Sequence, residues 1–225
     1  MKAELLSVFG DDLMIANAAR VSYGKSKFSF EESDKKLLNF LLKHKHVSPF
    51  RHPQLQYRIE CPIFVERQLF KHQVGLTANS ISGRYVDFSE SFWQLKELRY
   101  QSADSKQGSG NSFFNDELLK DISIHIENSK KLYQKLNDYE VAKELARTIL
   151  PLSLNTQFIW TGSLWAFIHL FSLRLKKDAQ KETRILVSSM YDSIINNGSF
   201  KYTFELLKEN DFKFDGYEEN LEEEN

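Results

Sequence analysis

The sequence predicts a chain of mixed class, mostly helical with a minor strand component. Two observations carry this. Apolar residues recur at the 3.6-residue period in one segment after another, and residues 52–60 alternate strictly instead. A third observation sets a bound: no run of about 18 or more apolar residues occurs, so no membrane span is expected.

Taken in order, Asp11 and Asp12 suit the start of a first helix through Arg20, with Leu13, Ala16 and Arg20, or Ile15 and Ala19, at helical spacing. Residues 24–29 read as a loop. Ser33 or Asp34 caps a second helix to about His44, with Leu37, Leu38, Leu41 and Leu42 inward. A turn holding His44, His46 and His52 follows. In residues 52–60, Leu55, Tyr57 and Ile59 oppose Gln54, Gln56, Arg58 and Glu60, a half-buried strand. Pro62 opens a third helix, residues 62–73, where its missing N–H loses nothing, and Gly75 stops it. Residues 93–100 fit a strand or a short helix equally. Residues 101–112, rich in Ser and Gly, read as a loop. Residues 116–137 form a long helix with Leu118, Leu119, Ile122, Ile126 and Leu132 inward and His125 outward. Residues 139–150 make a helix ended by Pro151. Residues 160–175 make another, with Leu164, Phe167, Ile168, Phe171 and Leu175 as its core stripe. One more reaches Ile195 before Asn196-Asn197-Gly198, and a short one covers residues 202–208. Residues 1–208 thus read as one domain.

Composition fits this. Of 225 residues, 41% are hydrophobic and 18 are phenylalanine, enough for a sizeable core. A single cysteine excludes an intrachain disulfide and suits a reducing, cytoplasmic compartment; no basic stretch followed by an apolar run marks a secretory leader. Residues 209–225 hold eight acidic residues against one lysine, so this solvated tail carries −7 and the body +6 of a net −1. A mildly basic body favours small anions but is too weakly biased for duplex nucleic acid.

The chemistry concentrates in residues 71–85. Gln68, Lys71 and His72 fall at i, i+3 and i+4, one polar patch at a helix end. Asn79-Ser80-Ile81-Ser82-Gly83-Arg84 can turn hydroxyls and backbone N–H groups toward an anion, with Arg84 as a planar fork; a plain surface loop is the alternative. Arg147, beside Ala146 and Ile149-Leu150, and Arg174, in Leu173-Arg174-Leu175, sit in apolar surroundings and need anionic partners, internal or bound. Cys61, flanked by Ile59, Pro62 and Ile63, reads as a small buried residue rather than a nucleophile. His44, His46 and His52 lack the spacing of a zinc set, so no metal is expected.

Several segments carry a resemblance to the flavin-dependent thymidylate synthases. That family has Arg-His-Arg, seven residues, then Ser-x-Arg; here stand Lys71-His72-Gln73, eight residues, then Ser82-Gly83-Arg84. His46-Val47-Ser48-Pro49-Phe50 is similar to His-x-Thr-Pro-Phe, and 146–152 to Ala-Arg-x-x-Leu-Pro-Leu. Leu173-Arg174 with Ala179-Gln180 and Glu182 resembles Leu-Arg…Ala-Gln-x-Glu. The resemblance implies an α+β homotetramer with a small antiparallel sheet and active sites between subunits. It implies FAD, dUMP, 5,10-methylenetetrahydrofolate and NADPH as ligands, and methylation of the uracil C5 without a cysteine nucleophile. Carried over, Gln68, Lys71, Ser80, Ser82, Gly83, Arg84, Arg147 and Arg174 would hold the nucleotide, with Arg174 catalytic against the uracil. Ser22, His46, Ser48, Lys71, His72, Gln73, Ser80, Ser163 and His169 would meet the flavin. Ser80 replaces a glutamate of the family, Ser163 and Trp165 an asparagine and an arginine, and His169 another asparagine. These departures, and the altered triplet, leave open a homologue that binds flavin or nucleotide without turnover.

Overall fold

In the computed structural model, residues 1–86, 91–103, 108–210 and 212 are described. They form an α+β fold around a four-stranded antiparallel sheet of order β1-β2-β6-β3, with β1 Lys2–Phe9, β2 Gln54–Pro62, β6 Asn155–Ser163 and β3 Leu76–Ser80. A hairpin of β4 Leu98–Gln101 and β5 Ser109–Phe113 stands apart from it. The helices are α1 Asp12–Arg20, α2 Glu32–Lys43, α3 Ile63–Leu69, α4 Asp116–Asp138, α5 Lys143–Ala146, α6 Leu164–Arg174, α7 Lys181–Asn197 and α8 Lys201–Glu209.

β2 forms because its period-2 pattern gives one wholly apolar face: Leu55, Tyr57, Ile59 and Cys61 are all fully buried. Its partner β6 contributes Phe158 and Trp160 to the same layer, in register with Ile59 and Tyr57. The apolar stripe of α6 covers this face. Phe167 meets Tyr57 at 5.2 Å and Trp160 at 5.6 Å between ring centroids, in tilted and edge arrangements that aromatic pairs prefer. The opposite face is polar, with Arg58 paired to Glu4 and Gln56 to Thr161 across strands.

Buried acids fix the periphery. Asp12 accepts from the backbone N–H groups of Tyr202 and Thr203 and from the Thr203 hydroxyl, so it caps α8 from 190 residues away in sequence. Asp34, fully buried, pairs with Arg20 and completes a capping box with Glu31.

Several expectations differ from this structure. The second helix, α2, begins at Glu32 with Glu31 as its cap, and Ser33 and Asp34 lie within its first turn. The helix placed at 160–175 begins only at Leu164; residues 160–163 belong to β6, and Ser163 caps the helix instead. Pro62 ends β2 and precedes α3 rather than opening it, and α3 stops at Leu69. The loop placed at 101–112 contains β5 from Ser109, while residues 104–107 lie outside those described. The segment 139–150 is helical only from Lys143, as α5 and a 3-10 turn, Arg147–Ile149. Leu118 and Leu132, placed inward on α4, are exposed. The acidic tail expected at 209–225 falls mostly outside the described residues; of it, Glu209 closes α8 and Phe212 packs edge-on against Trp165.

Candidate active site

Arg174, the last residue of α6, is half-buried over the end of α3. Its Nε donates to Nε2 of His72 at 3.0 Å, and its Nη2 donates to the main-chain carbonyl of Gln68 at 3.2 Å. Arg174 thus meets the Gln68 backbone and the His72 ring, but the expected helical patch is not formed: α3 stops at Leu69, the Gln68 side chain turns to Gln180 and Thr183, and Lys71 is exposed. Neither partner is an anion. Among the described residues Arg174 makes no ion pair, and its Nη1 makes no hydrogen bond, so an uncompensated fork remains available for an anionic ligand.

Because Nε2 of His72 accepts, the ring proton lies on Nδ1 and the imidazole is neutral. Burial, with the charges of Arg174 and His169 nearby, pushes the His72 pKa down to about 4. As pH falls, an unfolded imidazole binds its proton near pH 6.5, before the folded one does. Stability tied to His72 is thus complete above that pH and is lost as pH falls from 6.5 toward 4. Comparing urea midpoints at pH 7.5 and 4.5, wild type should lose on the order of 1 kcal/mol more than His72→Gln, a figure reduced for the partial exposure of the ring. Equal losses would contradict the assignment.

Beneath Arg174 the side chain of Gln68 joins α7. Its Nε2 donates to Oε1 of Gln180, and its Oε1 accepts from the Thr183 hydroxyl at 3.1 Å. Gln180 Nε2 donates to Oε2 of Glu182 at 2.8 Å. Glu182 is buried and takes Nη2 of Arg99 on its other oxygen at 2.5 Å. Burial opposes its charge, but the hydrogen bonds from Arg99, its own backbone and Gln180 hold its pKa below the usual carboxylate value. Sequence reasoning missed Arg99 altogether. Nothing in a sequence pairs residues 83 apart, although Gln180 and Glu182 stood in the quoted motif.

The other candidate nucleotide contacts lie on other elements of the chain. Ser82 accepts from the backbone N–H of Arg84 at 3.3 Å and from its Nε at 3.5 Å, folding the loop after β3 onto its own hydroxyl; Gly83 is buried in it. Ser80 donates to Glu66 at 3.2 Å. Arg147, expected in apolar surroundings with Glu144, is exposed on its 3-10 turn and forms no ion pair among the described residues. Arg84, Arg147 and Arg174 therefore occupy three separate elements, none neutralised by an acid among the described residues.

The candidate flavin contacts divide similarly. The His72 and His169 rings lie 6.0 Å apart, and Gln73 is exposed next to them. Ser22, His46 and Ser48 are exposed on the turns after α1 and α2. Ser163 is buried and accepts the Ala166 N–H at 3.3 Å, so its hydroxyl serves α6 rather than a cofactor. The remaining set suits a flavin dinucleotide chemically: a cation and amide for a diphosphate, and a neutral imidazole able to donate from Nδ1.

Cys61 is fully buried, and burial, with Glu66 nearby, pushes its pKa up to about 12, the reverse of an activated thiol. Native protein should resist iodoacetamide by intact mass, and Cys61→Ala should keep full turnover while costing about 1 kcal/mol of stability. Loss of turnover in folded Cys61→Ala would overturn this. The rings of His44 and His46 lie tilted and edge-on to Phe40, and no group of three or more His, Cys, Asp or Glu suited to a metal occurs among the described residues.

Comparison with known proteins decides the family. The model described as thymidylate synthase complementing protein matches residues 4–196. The chain belongs to this family. Relatives include a flavin-dependent thymidylate synthase of Kosmotoga olearia, 36% identical over 218 residues, covering 91% of this chain and 93% of that one. Another, from Thermus thermophilus, is 37% identical over 180 residues, covering 80% and 66%. Membership makes this chain an enzyme of the methyltransferase class. Among solved structures, the UMP/dUMP methylase PolB from Streptomyces cacaoi, bound with 5-Br dUMP, superposes with a TM-score of 0.77 at 24% identity, covering 92% and 94% of the two chains. That likeness concerns the fold, and it confirms the α+β class with small antiparallel sheets.

Proposed function

We propose that this family member methylates dUMP at C5 to give dTMP, in a cytoplasmic homotetramer whose sites are shared between subunits. The observation that carries the reading is Arg174, held by His72 and the Gln68 carbonyl, with one nitrogen free and no anion paired to it among the described residues. A uracil ring placed against that nitrogen loses its N3 proton more readily, because a fixed cation stabilises the ring anion, and C5 becomes the better nucleophile. Arg84 and Arg147, with Ser82, Ser80, Lys71 and the Gly83 backbone, take the phosphate and ribose, and Gln68 the base. Ser22, His46, Ser48, Lys71, His72, Gln73 and His169 line the flavin side. Bound there, FAD supplies the hydride, drawn from NADPH, while 5,10-methylenetetrahydrofolate supplies the carbon.

Sharing between subunits is supported by the arginines lying on three separate elements, with no hydrogen bond or common partner joining them among the described residues. A recess of about 650 Å³, lined by Phe9, Met14, Val21 and His52 among others, contains none of them. Large apolar side chains also lie open: Tyr23, Phe28, Val74, Tyr85, Phe114 and Tyr139 are each more than two-thirds exposed. The test is dTMP formation by flavin-loaded protein given dUMP, NADPH and 5,10-methylenetetrahydrofolate together. Flavin that stays bound while no dTMP forms would reject the activity in favour of a binding protein.

A further inference from the structure

Beyond the residues that would touch the nucleotide, we infer that Glu182, held by Arg99, is a positioning residue that sets which way the Gln68 amide faces in the nucleotide site. The inference rests on the proposed place of Gln68 in that site. A glutamine side chain can turn over, exchanging its oxygen and its NH₂ at little steric cost, so something must choose between the two states. Glu182 makes that choice. Ionised, it only accepts. Its Oε2 therefore requires the NH₂ of Gln180, at 2.8 Å. With that NH₂ spent, the Gln180 oxygen faces Gln68 and requires the Gln68 NH₂. The Gln68 oxygen is left to the Thr183 hydroxyl at 3.1 Å. One carboxylate thus propagates a single hydrogen-bond direction through two amides to the residue beneath Arg174.

The source of the direction is itself secured. Glu182 and Thr183, the two ends of the relay, are buried, and Gln68 and Gln180 between them are partly buried, which limits the competition of water for these bonds. Arg99 holds the second Glu182 oxygen at 2.5 Å and is steered by Glu97 at 3.1 Å, which keeps the carboxylate charged despite burial. What Gln68 offers a ligand is therefore fixed before binding: the second N–H of its NH₂ and the remaining lone pair of its oxygen, in one orientation. A uracil edge also has an ordered set of donors and acceptors, so the wrong amide orientation would set like against like.

Glu182→Gln replaces the acceptor with a group that satisfies Gln180 in either sense, at the same volume. Titrating dUMP calorimetrically into FAD-loaded protein, this variant should bind about ten-fold more weakly, with the protein still folded at the assay temperature and its flavin content unchanged. Glu182→Asp, which keeps an acceptor-only carboxylate, should recover part of the loss. Gln68→Ala supplies the control for the underlying reading. If Gln68→Ala weakens dUMP binding while Glu182→Gln does not, the relay is wrong and the nucleotide site stands. If Gln68→Ala itself leaves dUMP binding unchanged, the site assignment fails and the relay with it. A fall in Gln68→Ala and Glu182→Gln alike, with the double variant no worse than either single one, is the result expected.

Discussion

Arg174→Ala should lower kcat/KM for dTMP formation about a thousand-fold or more, near 4 kcal/mol of transition-state stabilisation, while leaving the fold and the bound flavin in place. The size follows from what the guanidinium faces. Two of its nitrogens are tied to His72 and to the Gln68 carbonyl, so its position costs nothing to reach at the moment of reaction. Its charge meets no carboxylate among the described residues, so it is not spent internally. A preorganised cation in a partly dry site acts most strongly where negative charge develops, here on the uracil ring. Arg174→Lys should recover less than ten-fold of the loss, because one ammonium cannot hold both protein partners and still reach the ring. Steady-state rates with the flavin absorbance as a loading check decide the matter. A variant within ten-fold of wild type would remove Arg174 from the chemistry.

Gly162→Val should prevent folding, and Gly162→Ala should cost about 3 kcal/mol or more, the largest stability effect expected outside the aromatic core. Gly162 lies in the central strand β6, opposite Leu55 on one side and Leu76 on the other. A Cβ there would overlap the carbonyl oxygen of Gly75 and the Leu76 side chain. The leucine could rotate, but the carbonyl is backbone and accepts the Ser163 N–H at 3.1 Å. Relief therefore requires β3 to shift, and β3 leads into the loop that carries Ser82 and Arg84. The alanine variant should show a lower urea midpoint together with weaker dUMP binding; an unchanged midpoint would contradict the close approach.

Legibility in the sequence followed the strength of each local pattern. The stripe Leu164, Phe167, Ile168, Phe171 and Leu175 was readable because one period held over three turns, and all five residues are fully buried. The boundary before it was not, because Phe158, Trp160 and Gly162 continue an apolar run at period 2 straight into a period-3.6 segment. β1 escaped notice because, at the edge of the sheet, most of its residues are only partly buried and its alternation is weak. β5, Ser-Gly-Asn-Ser-Phe, has the composition of a loop and is a strand only because β4 pairs with it.

The site divides along the same line. Arg174 was legible as a cation in apolar surroundings that needed a partner, yet its partners are an imidazole and a carbonyl, which spacing alone does not distinguish from an acid. Arg147 looked buried by its neighbours Ala146 and Ile149 but points to solvent in the single chain, because its segment turns as a 3-10 helix at the surface. Arg99 left no signal, since its role depends on a hairpin brought against α7 by the tertiary fold.

In the proposed site, guanidinium groups from different subunits meet on one nucleotide, and a crystal structure of the flavin-loaded protein with dUMP measures that directly. It should place Arg174 of one subunit within hydrogen-bond distance of the uracil, with Arg84 and Arg147 on the phosphate and at least one of these from a neighbouring subunit. Nucleotide bound elsewhere, or Arg174 turned away from the base toward an internal acid, would contradict it.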